Sequence, residues 1–470
     1  MLPESTRTWR FVGLAAAGCL LTIPFWVLAL NPGTAAGSGR HVVLFAWAFG
    51  AFLLALGVVW LTRARDAAGQ QPRMSLPLLV LVLAFAAFFR APLIARPPAR
   101  STDIYRCLWE GKLLKHGLNP FSYAPDDPRL DWLHANTATD RQNELYHRRI
   151  NNKDRSAIYP GFSQAMFLLA SYVREDGIVA LKLVYLAFDL ACACFLVGLL
   201  RALGRDEAWT LMWAWHPLVV TEFSGAAHQD VMGIALLVLA LWLLYAPGIR
   251  RRPLWAGIAA GLSIAAKGYT VFLLPFMWRR FGGEGRAARG PLAFMAAVVA
   301  TDVMLTLPFL SAGQGLLRSL GAYATIWDRN ASLYYIFDGA LQLVTERHDF
   351  GARVLGMALT LIFMGYLYYL LPPARRPRQA MGKMLAALGA FLLLAPVTYP
   401  WYVCWTIPLV VVAFSPSWFL FTGLVALDYL HRYYDAELPS VLLGQYLPVY
   451  VGLAIEWWLW RRKRRAAAPP

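Results

Sequence analysis

Charged residues are scarce in this sequence. Asp, Glu, Lys and Arg make up 15% of its 470 residues, whereas a soluble protein carries about 25%. Hydrophobic residues make up 59% and gather in runs of roughly 15 to 23 residues, close to the length that a helix needs to cross a bilayer. The runs are continuous, which excludes the alternating pattern of a membrane β-barrel. The composition therefore predicts an all-α, polytopic transmembrane helix bundle with no room for a soluble domain.

Cysteines and closely spaced acidic pairs are also rare. Of the five cysteines, only Cys107 lies outside the apolar runs, so the sequence contains no disulfide or zinc-binding pattern. Asp103 is followed two residues later by Tyr105 rather than by a second acid, and the side chains of the adjacent Asp126 and Asp127 diverge. A divalent metal binds where carboxylates converge. No cofactor is assigned, and a divalent metal stays open but is not favoured.

The excess of positive charge has a topological explanation. The net charge is +17, but Lys and Arg form short clusters between the apolar runs, as they do in cytoplasmic loops. This distribution argues against a nucleic-acid partner and predicts about 12 to 14 spans with both termini in the cytoplasm. The predicted spans lie near 11–30, 41–62, 76–95, 178–200, 208–223, 230–247, 254–267, 268–278, 291–310, 354–371, 382–398, 400–415, 416–430 and 441–460. The short pair 254–267 and 268–278 accounts for the uncertainty in the count.

The predicted orientation collects the long polar segments on the extracytoplasmic face. They are the loops 97–157 and 311–353 and the turns 224–230 and 398–402. The segment Tyr159–Val173 is predicted to be a helix on this face that lies on the membrane or dips into it. Three regions follow: a two-span extension at 1–75, a membrane core at 76–430, and a final span with a basic cytoplasmic tail at 431–470.

Asp103 is the first candidate for chemistry because it directly follows an apolar span. A carboxylate at that boundary is partly desolvated, which predicts a raised pKa and a general base that works near neutral pH. Glu110 lies seven residues later, close to the same face if this segment is helical, and a second carboxylate there suits sugar hydroxyls. The alternatives are a helix-capping or topology-marking Asp103 and a solvated Glu110.

An ordered set of short motifs surrounds these acids. Residues 103–106 read Asp-Ile-Tyr-Arg, followed by Trp-Glu-Gly from residue 109 and Asn-Pro-Phe from residue 119. Further along come Trp-His-Pro-Leu (215–218), His-Gln-Asp (228–230), Ala-Lys (266–267), Asn-Ala-Ser-Leu (330–333) and Pro-Trp-Tyr (400–402). The set resembles GT-C-fold membrane glycosyltransferases, most of all the bacterial polyprenol-phosphate-mannose-dependent α-1,6-mannosyltransferases. The resemblance covers roughly residues 76–415 and leaves the spans at 11–62 unexplained.

The resemblance implies an inverting transfer of a hexose, with mannose favoured, from a polyprenyl-phosphate donor. The acceptor is a lipid or glycan hydroxyl on the extracytoplasmic face of a bacterial inner membrane. Such a reaction needs a base for the acceptor and cations for the departing phosphate. Asp103 suits the first role, and Lys267, Arg106 and Arg329 suit the second. Candidates for binding sugar or acceptor are Glu110, Tyr159, His228, Asp230, Asn330, Trp401 and Tyr402.

Several alternatives stay open. Lys267 lies within an apolar run, where a charge is costly unless it is functional, paired or snorkelling to the interface. His228 and Asp230 also fit an ordinary polar turn, and Trp401 and Tyr402 fit an interfacial aromatic belt. At the level of the whole chain, a transporter or lipid flippase shares the many spans, although no internal repeat of the transporter kind is visible. A non-catalytic assembly subunit that retains the fold is the third hypothesis.

Overall fold

A computed structural model describes residues 4–30, 37–63, 73–98, 100–134, 147–281, 289–434 and 439–466. Within these ranges the regular structure is helical, and extended pairing is confined to one isolated parallel bridge between Arg329 and Val397. The predicted all-α membrane bundle is confirmed.

The chain divides into two compact units. The first comprises Met1–Pro32 and Ala51–Trp327, and the second comprises Gly33–Gly50 and Asp328–Pro470. The predicted regions 1–75, 76–430 and 431–470 follow other boundaries and stay a prediction.

The helices of nine or more residues in the described part of the chain are numbered here in chain order. They are α1 (Glu4–Leu30), α2 (Gly37–Leu61), α3 (Leu76–Ile94), α4 (Asp103–Lys115), α5 (Gly161–Val173), α6 (Ile178–Ala202), α7 (Asp230–Tyr245), α8 (Arg252–Ala266), α9 (Arg289–Thr306), α10 (Gly315–Ile326), α11 (Leu333–Gln342), α12 (His348–Gly365), α13 (Pro377–Leu394), α14 (Pro416–Leu424) and α15 (Pro439–Ala466). Shorter α-helices occupy Asp131–His134, Leu211–Ala214, Pro217–Val219, Leu274–Trp278, Pro400–Val403, Ile407–Val412 and Tyr429–Tyr434. Short 3₁₀ segments occupy Pro128–Leu130, Glu207–Thr210, Gly268–Leu273, Leu307–Ala312, Cys404–Thr406 and Val425–Asp428, and π-helical turns occupy Val220–Gly225 and Tyr366–Leu370.

Six helical segments of the described residues are long and apolar enough to cross a membrane. They are α1, Gly39–Leu61 of α2, α3, α6, Arg289–Ala312 and His348–Leu370. They match the predicted spans near 11–30, 41–62, 76–95, 178–200, 291–310 and 354–371, so these six continuous helices are confirmed by length and composition.

Two other stretches of predicted span are interrupted rather than continuous. The segment near 208–223 is a series of short helices in which Pro217 begins one helix and a π-helical turn follows. The segment 254–278 breaks at Lys267, which has an extended backbone between α8 and a 3₁₀ turn. Proline lacks the amide that continues a helix, and a break in a membrane protein is tolerated where the freed backbone is buried in protein. The total number of crossings stays a prediction.

The long loop 97–157 contains an ordered helix that packs on its neighbour. Helix α4 lies against α5, and a Cβ atom added at Gly111 of α4 would lie 2.4 Å from the carbonyl oxygen of Phe167 in α5. Only glycine permits this approach, which brings the α4 backbone onto α5. The segment predicted to be a helix at Tyr159–Val173 is helical from Gly161 to Val173 as α5, and its location on the membrane stays a prediction. The packing on α5 fixes Asp103, at the start of α4, within the first unit.

Lys182 of α6 links the end of α3, which precedes Asp103, to the end of the π-helical turn, which precedes His228. Its buried ammonium donates to the carbonyl oxygens of Leu93 and Arg96, each at 2.9 Å, near the end of α3. It also donates to Ser224 and Gly225, at 2.9 and 3.3 Å, at the end of the π-helical turn. Carbonyl oxygens at the carboxyl end of a helix lack intrahelical donors, so the one buried side chain of Lys182 satisfies acceptors at both ends.

We expect Lys182→Met to lower the free energy of unfolding by about 1–3 kcal/mol, because the buried carbonyl oxygens lose their donor while the side-chain volume is nearly kept. The measurement is the thermal unfolding midpoint of the purified protein in detergent. Leu183→Ala changes the adjacent, half-exposed side chain and serves as the control. Equal midpoints for wild type and Lys182→Met would contradict the role assigned to the ammonium.

Candidate active site

Asp103 is held at both carboxylate oxygens. It is the first residue of α4, where a negative charge is favourable. Asn151 donates a 2.7 Å hydrogen bond from Nδ2 to Oδ1, and His228 Nδ1 lies 3.6 Å from Oδ2. The side chain remains 28% exposed. The carboxylate is therefore oriented by the protein yet accessible to a ligand.

The imidazole of His228 lies between two carboxylates. Its Nδ1 faces Asp103, and its Nε2 lies 3.4 Å from Oε2 of Glu222. Both His228 and Glu222 are buried. Because the two acids approach opposite nitrogens of one ring, the three side chains do not converge on a common point. No cluster of three or more His, Cys, Asp or Glu side chains suited to a metal ion occurs in the described ranges.

Lys267 lies at the break after α8, next to a second carboxylate. Its Nζ atom is 3.3 Å from Oδ2 of Asp230, the first residue of α7, and 5.3 Å from the ring centroid of Tyr159. The break is fixed to α5 by the Ser163 hydroxyl, which lies 2.9 Å from the carbonyl oxygen of Ala266 and 2.8 Å from Oε1 of Gln229. The Lys267 side chain is 17% exposed, so its charge is paired and partly accessible.

The pKa of Asp103 is lowered, and the prediction of a raised value is wrong. Burial alone raises the pKa of this carboxyl, but the His228 contact, followed by the Asn151 hydrogen bond and the Lys267 charge, favours the ionised form more strongly. Asp103 is thus a carboxylate at neutral pH. The position of Asp103 after an apolar span correctly suggested that the carboxyl is partly desolvated. The residues that lower its pKa come from distant parts of the chain, so the local sequence did not indicate them.

Arg106 and Glu110 form part of the framework in this conformation. Arg106 Nε donates to Glu110 at 2.9 Å, Nη1 donates to Asn152, and Nη2 donates to the carbonyl oxygens of Arg155 and Ser156. Glu110 is buried and also accepts a 2.7 Å hydrogen bond from Gln164, although burial still raises its pKa. These bonds orient the segment 151–156 beside Asp103, and they give no support to direct contact of either residue with phosphate or sugar. Those roles stay predictions.

Arg329 and Asn330 lie in the second unit, where backbone bonds hold their loop. The Arg329 amide donates to Pro396 at 2.9 Å, and its carbonyl accepts from Thr398 at 3.0 Å. The Arg329 guanidinium lies 3.9 Å from Asp428 and is partly exposed. Asn330 is buried and donates to the carbonyl oxygen of Thr398 and to Gln445. These hydrogen bonds of Asn330 stabilise its own loop, and its contact with a ligand stays a prediction.

Trp401 and Tyr402 belong to an aromatic cluster of the second unit. Trp401 stacks on Tyr399 with ring centroids 4.3 Å apart, and Tyr402 stacks on Trp405 at 4.4 Å. Both Trp401 and Tyr402 are buried. Ring-on-ring packing of this kind accounts for their burial, and stacking on a sugar stays a prediction.

Seven of the predicted site residues lie in the first unit. Five of them interact with one another around Asp103: Asp103, Tyr159, His228, Asp230 and Lys267. Sequence reasoning missed Asn151 and Glu222. The sequence could have indicated Glu222, because it is an acid at the end of a predicted apolar span, where a buried charge needs a partner. It could not have indicated Asn151, because this residue lies 48 residues from the aspartate that it contacts.

Comparison with known families points to one group of enzymes. A family model described as "Alpha-(1->6)-mannopyranosyltransferase, N-terminal domain" matches residues 11–148 and 153–281, more than half of the chain. A second, described as "MptB C-terminal domain", matches residues 341–427. The first match begins at residue 11, so it includes the two spans that the motif resemblance left unexplained.

Individual relatives agree with the family models. The alpha-(1->6)-mannopyranosyltransferase A of Mycobacterium tuberculosis is 24% identical over 69% of this chain and 63% of its own length. The alpha-(1->6)-mannopyranosyltransferase B of Corynebacterium glutamicum is 24% identical over 83% of this chain and 69% of its own length. The GPI mannosyltransferase 1 of Gibberella zeae is 34% identical over 23% of this chain and 26% of its own length. No solved structure matches the chain.

We expect Arg106→Lys to loosen the segment 151–156, because lysine cannot reproduce the planar fork of guanidinium donors. Backbone amide hydrogen exchange, measured by mass spectrometry, reports the effect as faster exchange in peptides covering this segment. Arg148→Lys alters an exposed arginine of the same loop and serves as the control. Unchanged exchange in Arg106→Lys would show that the guanidinium bonds do not hold the loop.

Proposed function

The chain belongs to the alpha-(1→6)-mannopyranosyltransferase family, and on that premise we propose that it transfers mannose from a polyprenyl-phosphate donor to a hydroxyl of a lipid or glycan acceptor. The observation that carries the proposal is the ionised, partly exposed carboxylate of Asp103, fixed by Asn151 and His228 within the region that the family model matches. The chain spans 63% of the length of the Mycobacterium relative, so the activity of the whole protein is part of the proposal.

Asp103 acts as the general base. It accepts the proton of the acceptor hydroxyl while the acceptor oxygen attacks the anomeric carbon of the donor sugar. The bond from that carbon to the phosphate oxygen breaks, and its electron pair leaves with the polyprenyl phosphate. Direct displacement inverts the anomeric centre, so a β-linked donor yields an α-linked product. A low pKa makes Asp103 a weak base in water, but proton transfer during attack does not require a strong one.

Lys267 stabilises the charge that develops on the departing phosphate. Its contact with Asp230 holds the ammonium in place, and the face of Tyr159 lies beside it. Lys267 and Asp103 are close enough that the ammonium lowers the pKa of the carboxyl. A base and a cation in the same site suit an acceptor hydroxyl on one side of the sugar and a phosphate on the other. Arg329 remains a candidate for the phosphate as well.

The reaction is proposed to occur on the extracytoplasmic face of a bacterial inner membrane. The donor lipid is anchored in the bilayer, which places its phosphate and sugar at the water–lipid boundary. The distribution of basic clusters in the sequence supports a cytoplasmic location for the opposite face. A transporter or flippase and an inactive subunit are the alternatives, and the transfer assay below separates them from a transferase.

We expect Asp103→Asn to lower kcat for mannosyl transfer by about 10²- to 10⁴-fold, because the amide cannot accept the proton. The assay follows transfer from radiolabelled polyprenyl-phosphate mannose to a lipid-linked or free mannan acceptor by the purified protein in lipid nanodiscs. Asp154→Asn, at a 72% exposed carboxylate of the same loop, is the matched control. The wild-type rate should persist on acidification until the pH approaches the lowered pKa of Asp103. Full turnover in Asp103→Asn removes this residue from the mechanism.

For the orientation, we expect Asp154→Cys to react with a membrane-impermeant maleimide applied outside intact spheroplasts. Each of the described cysteines is buried or lies in a predicted apolar span, and Cys107 of the polar loop is among the buried ones, so wild type gives the background. Arg378→Cys, in a predicted cytoplasmic cluster and exposed, should react only after permeabilisation. The reverse pattern would overturn the proposed sidedness.

A further inference from the structure

Glu222 is a fully buried carboxylate that neither the motifs nor the proposed mechanism uses. It is 0% exposed and lies in the π-helical turn Val220–Gly225. An ionisable group in such a place is costly unless another charge or donor meets it. One group that it meets is the Nε2 side of His228, at 3.4 Å.

The local backbone departs from regular helix geometry where these two side chains meet. The Ala226 amide donates to the Thr221 carbonyl over the longer π-helical spacing, and the His228 amide donates to the carbonyl oxygen of Glu222 itself, at 3.1 Å. Ala227 between them is left-handed, with φ of 62°, a strained conformation for any residue with a Cβ atom. Both π-helical turns and strained residues concentrate at functional sites. Here they fold His228 back onto the side chain of Glu222.

The ring of His228 is consequently fixed from both sides. Glu222 faces one nitrogen and Asp103 faces the other. Rotation of the imidazole would break both contacts and release the Asp103 oxygen that Asn151 does not hold. Other charged and titratable groups around Asp103 are Lys267, Asp230, Tyr159 and Cys107.

We infer that Glu222 is a positioning residue of the transfer site, which fixes the ring of His228 and through it the carboxylate of Asp103. This inference rests on the proposed function, because it assigns Glu222 to the same reaction. Glu222 is 0% exposed, so it is placed to act through His228 rather than on a bound ligand. It acts in the manner of the buried acid in a catalytic triad, which orients an imidazole towards the group that reacts.

The test compares Glu222→Gln with Glu207→Gln in the transfer assay. Glu207 is also a buried glutamate of the first unit, but it pairs with Arg201 at 2.7 Å and lies outside the site. We expect Glu222→Gln to lower kcat roughly tenfold or more, the usual effect of losing an orienting acid, with the KM for the donor nearly unchanged. Folded Glu207→Gln should retain the wild-type kcat.

A double-variant cycle shows whether the effect passes through Asp103. In the Asp103→Asn background, Glu222→Gln should change the residual rate by less than about twofold, since residues that act as a unit are not additive. Where the residual rate is too low to measure, Asp103→Glu provides the background. If the losses in kcat of the two single variants multiply in the double variant, the inference is overturned, as it is by a wild-type kcat in folded Glu222→Gln.

Where the neutral variant does not fold, Glu222→Asp moves the carboxylate back by one methylene, and a wild-type kcat in that variant would equally overturn the inference.

The two proposals fail in different ways. Absence of mannosyl transfer by the wild-type protein rejects the proposed function. Transfer that requires Asp103 but is indifferent to Glu222 rejects only the positioning role and assigns the buried acid to folding alone.

Discussion

The proposed transfer reaction depends on one carboxylate being kept ionised at a polar–apolar boundary. Asp103 is partly buried, which by itself favours the neutral acid. The His228 contact, the Asn151 hydrogen bond and the Lys267 charge reverse that preference. Each of these partners comes from a different part of the first unit. The ionised state of Asp103 therefore depends on the folded arrangement of that unit. A carboxylate held in this way is oriented before any ligand binds. Pre-organised polar and charged groups usually make the largest single contribution to stabilising a transition state in which charge develops.

Interruptions between helices place two of these partners, Lys267 and His228, and Asp103 itself. A break brings a polar residue into the interior together with free backbone groups, which the surrounding protein must satisfy. Lys267 lies at the break after α8, Glu222 lies in a π-helical turn, and Asp103 begins α4 after α3 has ended. The buried ammonium of Lys182 joins the end of α3 to the end of the π-helical turn. One framework contact therefore serves both of the segments that lead to Asp103 and His228.

The class of fold and part of the site could be predicted from the sequence. The apolar runs identified the six continuous membrane helices, and the motif around Asp103 identified the family that the family models match. The sign of the Asp103 pKa shift could not be predicted, because it depends on contacts such as Asn151 that no local pattern announces. Arg106 is a second example: its charge and position suggested a phosphate ligand, whereas in this conformation its donors bind Glu110 and backbone carbonyls. Its contact with phosphate stays a prediction. The partners of a charged side chain are often distant in sequence, and the periodicity of the sequence does not predict them.

A structure of the protein in lipid nanodiscs with a polyprenyl-phosphonate mannose analogue, which cannot be transferred, is the most direct test. We predict the phosphonate beside Lys267 and the anomeric carbon facing the Asp103 carboxylate, with room between them for an acceptor oxygen about 3–3.5 Å from that carbon. An analogue bound elsewhere, with Asp103 facing bulk solvent or lipid and no sugar beside it, would contradict the proposed role of this carboxylate.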